Sequence, residues 1–276
     1  MEIQETSIGL IGAGNMGAAV IRGAIKSNII EPESIWVYDI VPGKLNQLQQ
    51  EFGINIAPSI DILVNESRVI IPAVKPSDIA EVLAMVRESL TGDHLILSIA
   101  AGVTTEQLKN MVQGKCHVIR TMPNTPALVG EGMTAVCRDP SIPERFINMA
   151  CMILKSFGKI EFVSEDQIHA VTAISGSSPA YAFMFLEALA DGGVMMGLSR
   201  EQSYRMAAQS LLGAAKLMLE TGKHPGELKD MVCSPSGTTI DAVASLEHSG
   251  FRGIVTKAVQ VCAEKSIAMG KEMQRT

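Results

Sequence analysis

The sequence predicts an α/β protein in two parts: a doubly wound parallel sheet over residues 1–164, then an all-helical part over residues 165–276. Two observations predict this. Up to residue 163, short β-rich runs at 7–11, 35–39, 69–74, 95–99, 118–121 and 160–163 alternate with segments of helical period, such as 18–25 and 79–90. Beyond Ser164 the β-branched runs stop, and helical patterns fill 181–193, 200–220, 238–248 and 251–269. Gly192-Gly193, Gly222 and Gly250 read as the stops of those helices.

The first element carries a G-x-G-x-x-G pattern at Gly12, Gly14 and Gly17, at the end of a predicted strand and the start of a predicted helix. In that context the pattern predicts dinucleotide binding in a Rossmann-type fold. Gly12 permits the tight turn, Gly14 admits a pyrophosphate to the backbone, and Gly17 lets the helix pack on the strand; Ala13, Asn15 and Met16 complete the loop. Asp39 ends the second run, 22 residues after Gly17, where a carboxylate accepts ribose hydroxyls and repels a 2′-phosphate. The next loop offers Lys44 and no Arg, so NADH is favoured over NADPH.

Later strand ends point into the same crevice. Ala73, Val74 and Lys75 close the 69–74 run, although Lys75 could equally be a solvated surface lysine. Ala100, Ala101 and Gly102 follow the 95–99 run with side chains small enough for a cofactor to pass. Asn124 lies between Pro123 and Pro126 in a rigid loop that could border a nicotinamide.

Within the helical part, Cys233-Ser234-Pro235-Ser236-Gly237-Thr238-Thr239 precedes an amphipathic pattern at Ile240, Ala242, Val243 and Leu246. A helix opening there presents free backbone N–H groups and several hydroxyls, which suits a small carboxylate; it equally suits an ordinary N-cap. The run from Ala207 to Leu219 is apolar on more than one face, and residues 165–276 are few to bury it, so oligomerisation is expected.

Composition narrows the partners. Hydrophobic residues make up 47% and charged residues 19%, as in a core-forming globular chain. A net charge of −6, with no basic run, excludes a nucleic-acid partner. The five cysteines are scattered without a C-x-x-C pair, which predicts reduced thiols, no disulfide framework and no metal site. The first five residues lack the positive region of a signal peptide, and apolar runs break before the roughly 18 residues a membrane span needs. A cytoplasmic protein without membrane contact is expected.

Taken in chain order, the segments beginning Ile11-Gly12-Ala13-Gly14-Asn15-Met16-Gly17, Ala73-Val74-Lys75-Pro76, Ala100-Ala101-Gly102-Val103, Met122-Pro123-Asn124-Thr125-Pro126, Ser175-Gly176-Ser177-Ser178-Pro179-Ala180-Tyr181 and Ser234-Pro235-Ser236-Gly237-Thr238-Thr239 closely resemble pyrroline-5-carboxylate reductases. The resemblance spans essentially the whole chain. It implies a helical dimerisation domain after the Rossmann domain, and NAD(P)H-dependent reduction of Δ1-pyrroline-5-carboxylate to L-proline. It also implies a homodimer whose interleaved chains build each site, with further assembly into decamers. The substrate carboxylate would take N–H groups at Gly237 and Thr238, with Ser234 nearby. The Thr239 hydroxyl would meet the ring nitrogen, Glu165 the nitrogen side of the substrate, and Ser175 would border the site. No metal is implied.

Three residues depart from the family pattern. Ser236 replaces the usual Gly, Pro72 falls inside a buried strand and removes a ladder donor, and Asp39 stands where many relatives carry a small or hydroxylated residue. Two other functions compete with this reading. A 6-phosphogluconate- or 3-hydroxyacid-dehydrogenase relative would need an acid–base lysine, but Lys216, Lys223 and Lys229 fall in no such motif. A non-catalytic dinucleotide sensor would have no use for a carboxylate pocket. Cys233 reads as a structural thiol, since imine reduction needs no nucleophile.

Overall fold

The computed structural model describes the backbone of residues 6–273 and the side chains of residues 6–270. The N-terminal segment examined for a signal peptide lies outside the described residues, apart from its junction with the first strand.

Alternation of buried residues builds the sheet. Along β1 (Ile8–Ile11), β4 (Val69–Pro72) and β5 (Leu95–Ser98), the residues Ile8, Leu10, Val69, Ile71, Leu95 and Leu97 enter one core, while Ile11, Ile70 and Ile96 enter another. Both faces are therefore covered, as a doubly wound sheet requires. The first core takes α1 (Asn15–Lys26) and α6 (Glu144–Lys155); the second takes α3 (Ile60–Asn65), α4 (Ile79–Val86) and α5 (Thr105–Met111). Each fully buried Ile or Leu contributes about 1.5–3 kcal/mol relative to exposure.

With β2 (Ile35–Tyr38), α2 (Pro42–Phe52), β3 (Asn55–Ile56), β6 (His117–Met122), β7 (Gly132–Cys137) and β8 (Gly158–Val163), the strand order is β3-β2-β1-β4-β5-β6-β7-β8. The order reverses between β1 and β4, which opens a crevice at the carboxyl ends of those strands. The pairs from β3 to β6 are parallel, but β7 runs antiparallel to β6 and parallel to β8, so the sheet is mixed where the sequence predicted a parallel one. The strands β3 and β7 were not expected. The first is two residues long, and the second mixes Gly, Thr and Ala into its apolar run.

Pro72 ends β4 and leaves its mark. Val69 and Ala73 donate to Ser7 O and Ile11 O on the β1 side, at 3.0 and 2.8 Å, so residues 70 and 72 face β5. Pairing with β5 stops at Ile70, although β5 itself continues to Ser98. A missing N–H at Pro72 accounts for the early end.

Compactness divides the chain at a different place from the change of texture at Ser164. One unit holds the residues up to Gly176 together with those from Cys262 onward, and the other runs from Ser177 to Val261. The first helical residues stay with the sheet because Ile168 and Ala173 are buried in it. The second unit comprises α8 (Ser178–Met195), α9 (Arg200–Thr221), α10 (Pro225–Val232), α11 (Thr238–His248) and the first part of α12 (Phe251–Met273). α7 (Ile168–Val171) precedes it.

Gly192 and Gly193 lie inside α8 and do not end it. A Cβ on Gly193 would stand 2.6 Å from Ser203 Oγ on α9, so the glycine permits the close crossing of the two helices. Gly222, with φ +63°, does end α9 as expected. Within α8 and α9 only Ala190, Ser203 and Ala207 are buried. Phe183, Leu219 and Ile254 are 64%, 80% and 67% exposed, so a single copy leaves much of this unit's apolar surface uncovered.

Candidate functional site

The sheet unit gathers the predicted nucleotide residues at the carboxyl ends of β1, β2, β4 and β5. Gly12 adopts φ +110°, and a Cβ there would stand 2.5 Å from the Ala73 carbonyl. A Cβ on Gly17 would meet Gly12 O at 2.5 Å, whereas Gly14 faces open space. Gly12 thus makes a tight turn, Gly17 lets the helix pack closely on the strand, and open space is left at Gly14. No side chain caps α1, so its first N–H groups remain directed at that space. Asn15 is exposed there, while Met16 turns part of its side chain onto the core.

Asp39 is tied into this loop. Its Oδ2 accepts the Ala13 N–H at 2.7 Å, and its Oδ1 accepts the Val41 N–H at 2.8 Å. Ala73 and Val74 are half-buried beside Gly12, and Lys75 is exposed. Ala100 is buried and Ala101 exposed, and Gly102 turns the chain at φ +82°.

Glu165 is tied into the sheet unit by its carboxylate. Its carboxylate accepts the Thr105 N–H at 3.0 Å, and also bonds the Thr105 hydroxyl and the Arg120 guanidinium. Burial pushes this carboxyl up, but the bonds from Thr105 and Arg120 outweigh it and hold the group below the usual glutamate value. With both oxygens engaged inside its own unit, Glu165 serves as an anchor between α5 and β6. Arg120 and Thr105 were missed in the sequence. The signal was an arginine within an apolar strand run; its side chain is only 5% exposed and needs a partner. Cys137 lies beside this pair, and burial together with the Glu165 charge pushes its thiol up to about 11, which leaves it no nucleophile.

Asn124 bonds two separate segments of the sheet unit. Its side-chain amide accepts the Met133 N–H and donates to the Ser175 carbonyl, at 2.8 and 3.0 Å. Ser175 itself lies in a π-helical turn, Thr172–Gly176, half-buried.

The 234–239 segment belongs to the helical unit. Gly237 N–H donates to Ser234 O at 3.1 Å, closing a turn with Pro235 and Ser236 at its centre. Ser236 adopts φ +57°, so this position does require the left-handed region, and a serine occupies it. Proline followed by a positive φ is the pattern of a type II turn. A Cβ on Gly237 would fall 2.2 Å from Ser234 Oγ, so only glycine lets that hydroxyl lie against the turn. Gly237 is the N-cap of α11, and no side chain caps the helix. Thr238 is exposed and Thr239 half-buried at its first turn. Cys233, read as a structural thiol, is partly exposed at the end of α10.

A family model described as pyrroline-5-carboxylate reductase dimerisation matches residues 165–269, and one described as NADP oxidoreductase, coenzyme F420-dependent, matches residues 7–102. The pyrroline-5-carboxylate reductase of Escherichia coli K12 is 48% identical over 267 residues, which cover 97% of this chain and 99% of that protein. The chain belongs to the pyrroline-5-carboxylate reductase family. Its membership sets aside the other dehydrogenase classes and the sensor alternative.

Two solved pyrroline-5-carboxylate reductases share its fold. The Coxiella burnetii protein is 31% identical with a TM-score of 0.90, covering 96% of this chain and 98% of that one. The Plasmodium falciparum reductase, solved with NADP bound, is 33% identical with a TM-score of 0.86, covering 98% and 100%. In this reductase-family chain, all six motifs that carried the resemblance fall at strand ends, turns or helix ends.

Proposed function

We propose that this chain reduces Δ1-pyrroline-5-carboxylate to L-proline with NADH or NADPH, the last step of proline synthesis. The observation that carries the reading is the Ser234–Gly237 turn in front of an uncapped α11, in a chain 48% identical to a named pyrroline-5-carboxylate reductase. The substrate carboxylate is held by backbone N–H groups at Gly237 and Thr238 with the Ser234 hydroxyl. The Thr239 hydroxyl bonds the ring nitrogen and aligns the C=N bond.

The residues present fit a dinucleotide. Gly12, Ala13, Gly14, Asn15, Met16 and Gly17 cradle the pyrophosphate, Asp39 takes the ribose hydroxyls, and residues 73–75 and 100–102 border the crevice. When bound, the nicotinamide supplies the hydride that reduces the imine carbon. The ring nitrogen reaches this state already protonated, so the side chains need only orient it, and no strong acid is required. Asp39 supports comparatively good use of NADH, because its fixed carboxylate repels a 2′-phosphate.

The uncovered apolar surface of the helical unit supports a homodimer as the smallest working form, with a decamer as the larger assembly. Five scattered cysteines with no C-x-x-C pair support a cytoplasmic location. Among the described residues no helix is long and apolar enough to cross a membrane.

Mixing the purified protein with pyrroline-5-carboxylate and either cofactor should consume the cofactor and yield proline. Absence of turnover with both cofactors sinks the proposal. Thr239→Ala should lower turnover while cofactor affinity is retained; equal damage to both would show that its role is misassigned.

A further inference from the structure

Asn124 precedes the 3-10 turn Thr125–Val129, a place where an asparagine ordinarily caps with its side chain, yet it does not cap that turn. Its Oδ1 accepts the Met133 N–H at 2.8 Å and its Nδ2 donates to the Ser175 carbonyl at 3.0 Å. One amide thus joins the start of β7 to Ser175, which lies 51 residues after Asn124.

The Ser175 carbonyl has a specific need for that donor. In an α-helix it would accept the N–H four residues on, but that residue is Pro179, which has none. The next N–H, at Ala180, goes to Ser177 O at 3.0 Å. The chain winds here as the π-turn Thr172–Gly176, and Asn124 supplies the donor that proline removes. Asn124 is held for this work by Pro123, which is buried, and by Pro126 in the turn.

We propose that Asn124 is a positioning residue for the reduction: it clamps the Ser175 carbonyl, and so fixes the Ser175 wall of the substrate site, without touching the cofactor. The inference rests on the proposed placement of Ser175 beside the substrate. Losing the clamp leaves a half-buried carbonyl short of a donor and lets the turn shift, while the glycine loop is left unchanged.

The test is Asn124→Asp in the full-length protein. The introduced carboxylate still accepts the Met133 N–H but faces the Ser175 carbonyl with a second acceptor. Near pH 8, kcat/KM for pyrroline-5-carboxylate should fall about tenfold. It should recover relative to wild type as pH drops and the introduced carboxyl protonates, since it then donates to Ser175 again. Cofactor affinity, followed by fluorescence titration, should stay within about twofold. Hydrogen exchange over residues 172–178 should quicken at pH 8.

Unchanged exchange would overturn the clamp itself. Faster exchange with unchanged kinetics would overturn the positioning role and trace the failure to the placement of Ser175. Loss of cofactor affinity equal to the loss of turnover would return Asn124 to the cofactor site and overturn the proposal.

Discussion

Asp39 and Ala13, 26 residues apart in sequence, are joined by a 2.7 Å hydrogen bond between the carboxylate and the glycine-loop N–H, at the ends of two paired parallel strands. The bond holds a negative charge beside the place where a ribose would sit. Asp39→Asn keeps one acceptor for the backbone and removes the charge. The ratio of kcat/KM with NADPH to that with NADH should rise about tenfold. A ratio that stays at the wild-type value would show that Asp39 only shapes the loop.

Ser236 holds φ +57°, which costs an L-residue about 1–2 kcal/mol. Ser236→Gly relieves that strain but gives the unfolded chain more freedom, so a net gain of up to about 1 kcal/mol is expected in urea unfolding. Ser236→Val should lose about 1–2 kcal/mol. A less stable glycine variant would contradict the strain argument.

Gly237→Ala places a methyl group 2.2 Å from where Ser234 Oγ lies, so the Ser234 hydroxyl must swing away or the turn must open. Turnover should fall at least about tenfold with cofactor affinity intact, because the carboxylate-binding N–H groups move. Steady-state kinetics beside a cofactor titration separates the two; normal kinetics would remove this turn from the site.

Acid should expose two depressed carboxyls. The Lys109 ammonium, with help from Ser141, holds Asp139 at about 2 against an ordinary value of 3.8. A folded-state pKa below the unfolded one means the stabilisation is full above about 4 and disappears as pH falls toward 2. Glu165 is depressed in the same direction, so its contribution is lost over the same acid limb. Asp139→Asn should flatten the fall of the unfolding midpoint between pH 4 and 2. Glu165→Gln should cost about 2 kcal/mol near neutrality, less than a fully buried pair because the carboxylate is partly screened by water. An unchanged acid limb in Asp139→Asn would show that the Lys109 contact is lost in solution.

The apolar faces left open in α8, α9 and α12 predict that association with a partner copy stabilises the fold. The thermal midpoint should rise with protein concentration in calorimetry. A midpoint independent of concentration across the dissociation range would indicate that a single copy covers these faces by itself.

The sequence by itself determined what depends on neighbours along the chain. The glycine loop, the β-run and helix pattern and the start of α11 at Thr238 are local properties, and local steric rules decide them. The mixed sheet was not legible, because β7 owes its direction to pairing with β6 and β8 more than to its own pattern. Nor were the bonding partners of Glu165 and Asn124. Their polar groups could have faced ligand or protein, and only the tertiary structure brought Arg120, Thr105, Met133 and Ser175 within bonding distance. Residues 45 to 60 positions apart along the chain meet through the cost of burying an arginine or a carbonyl unpaired, and that cost exists only once the fold has closed around them.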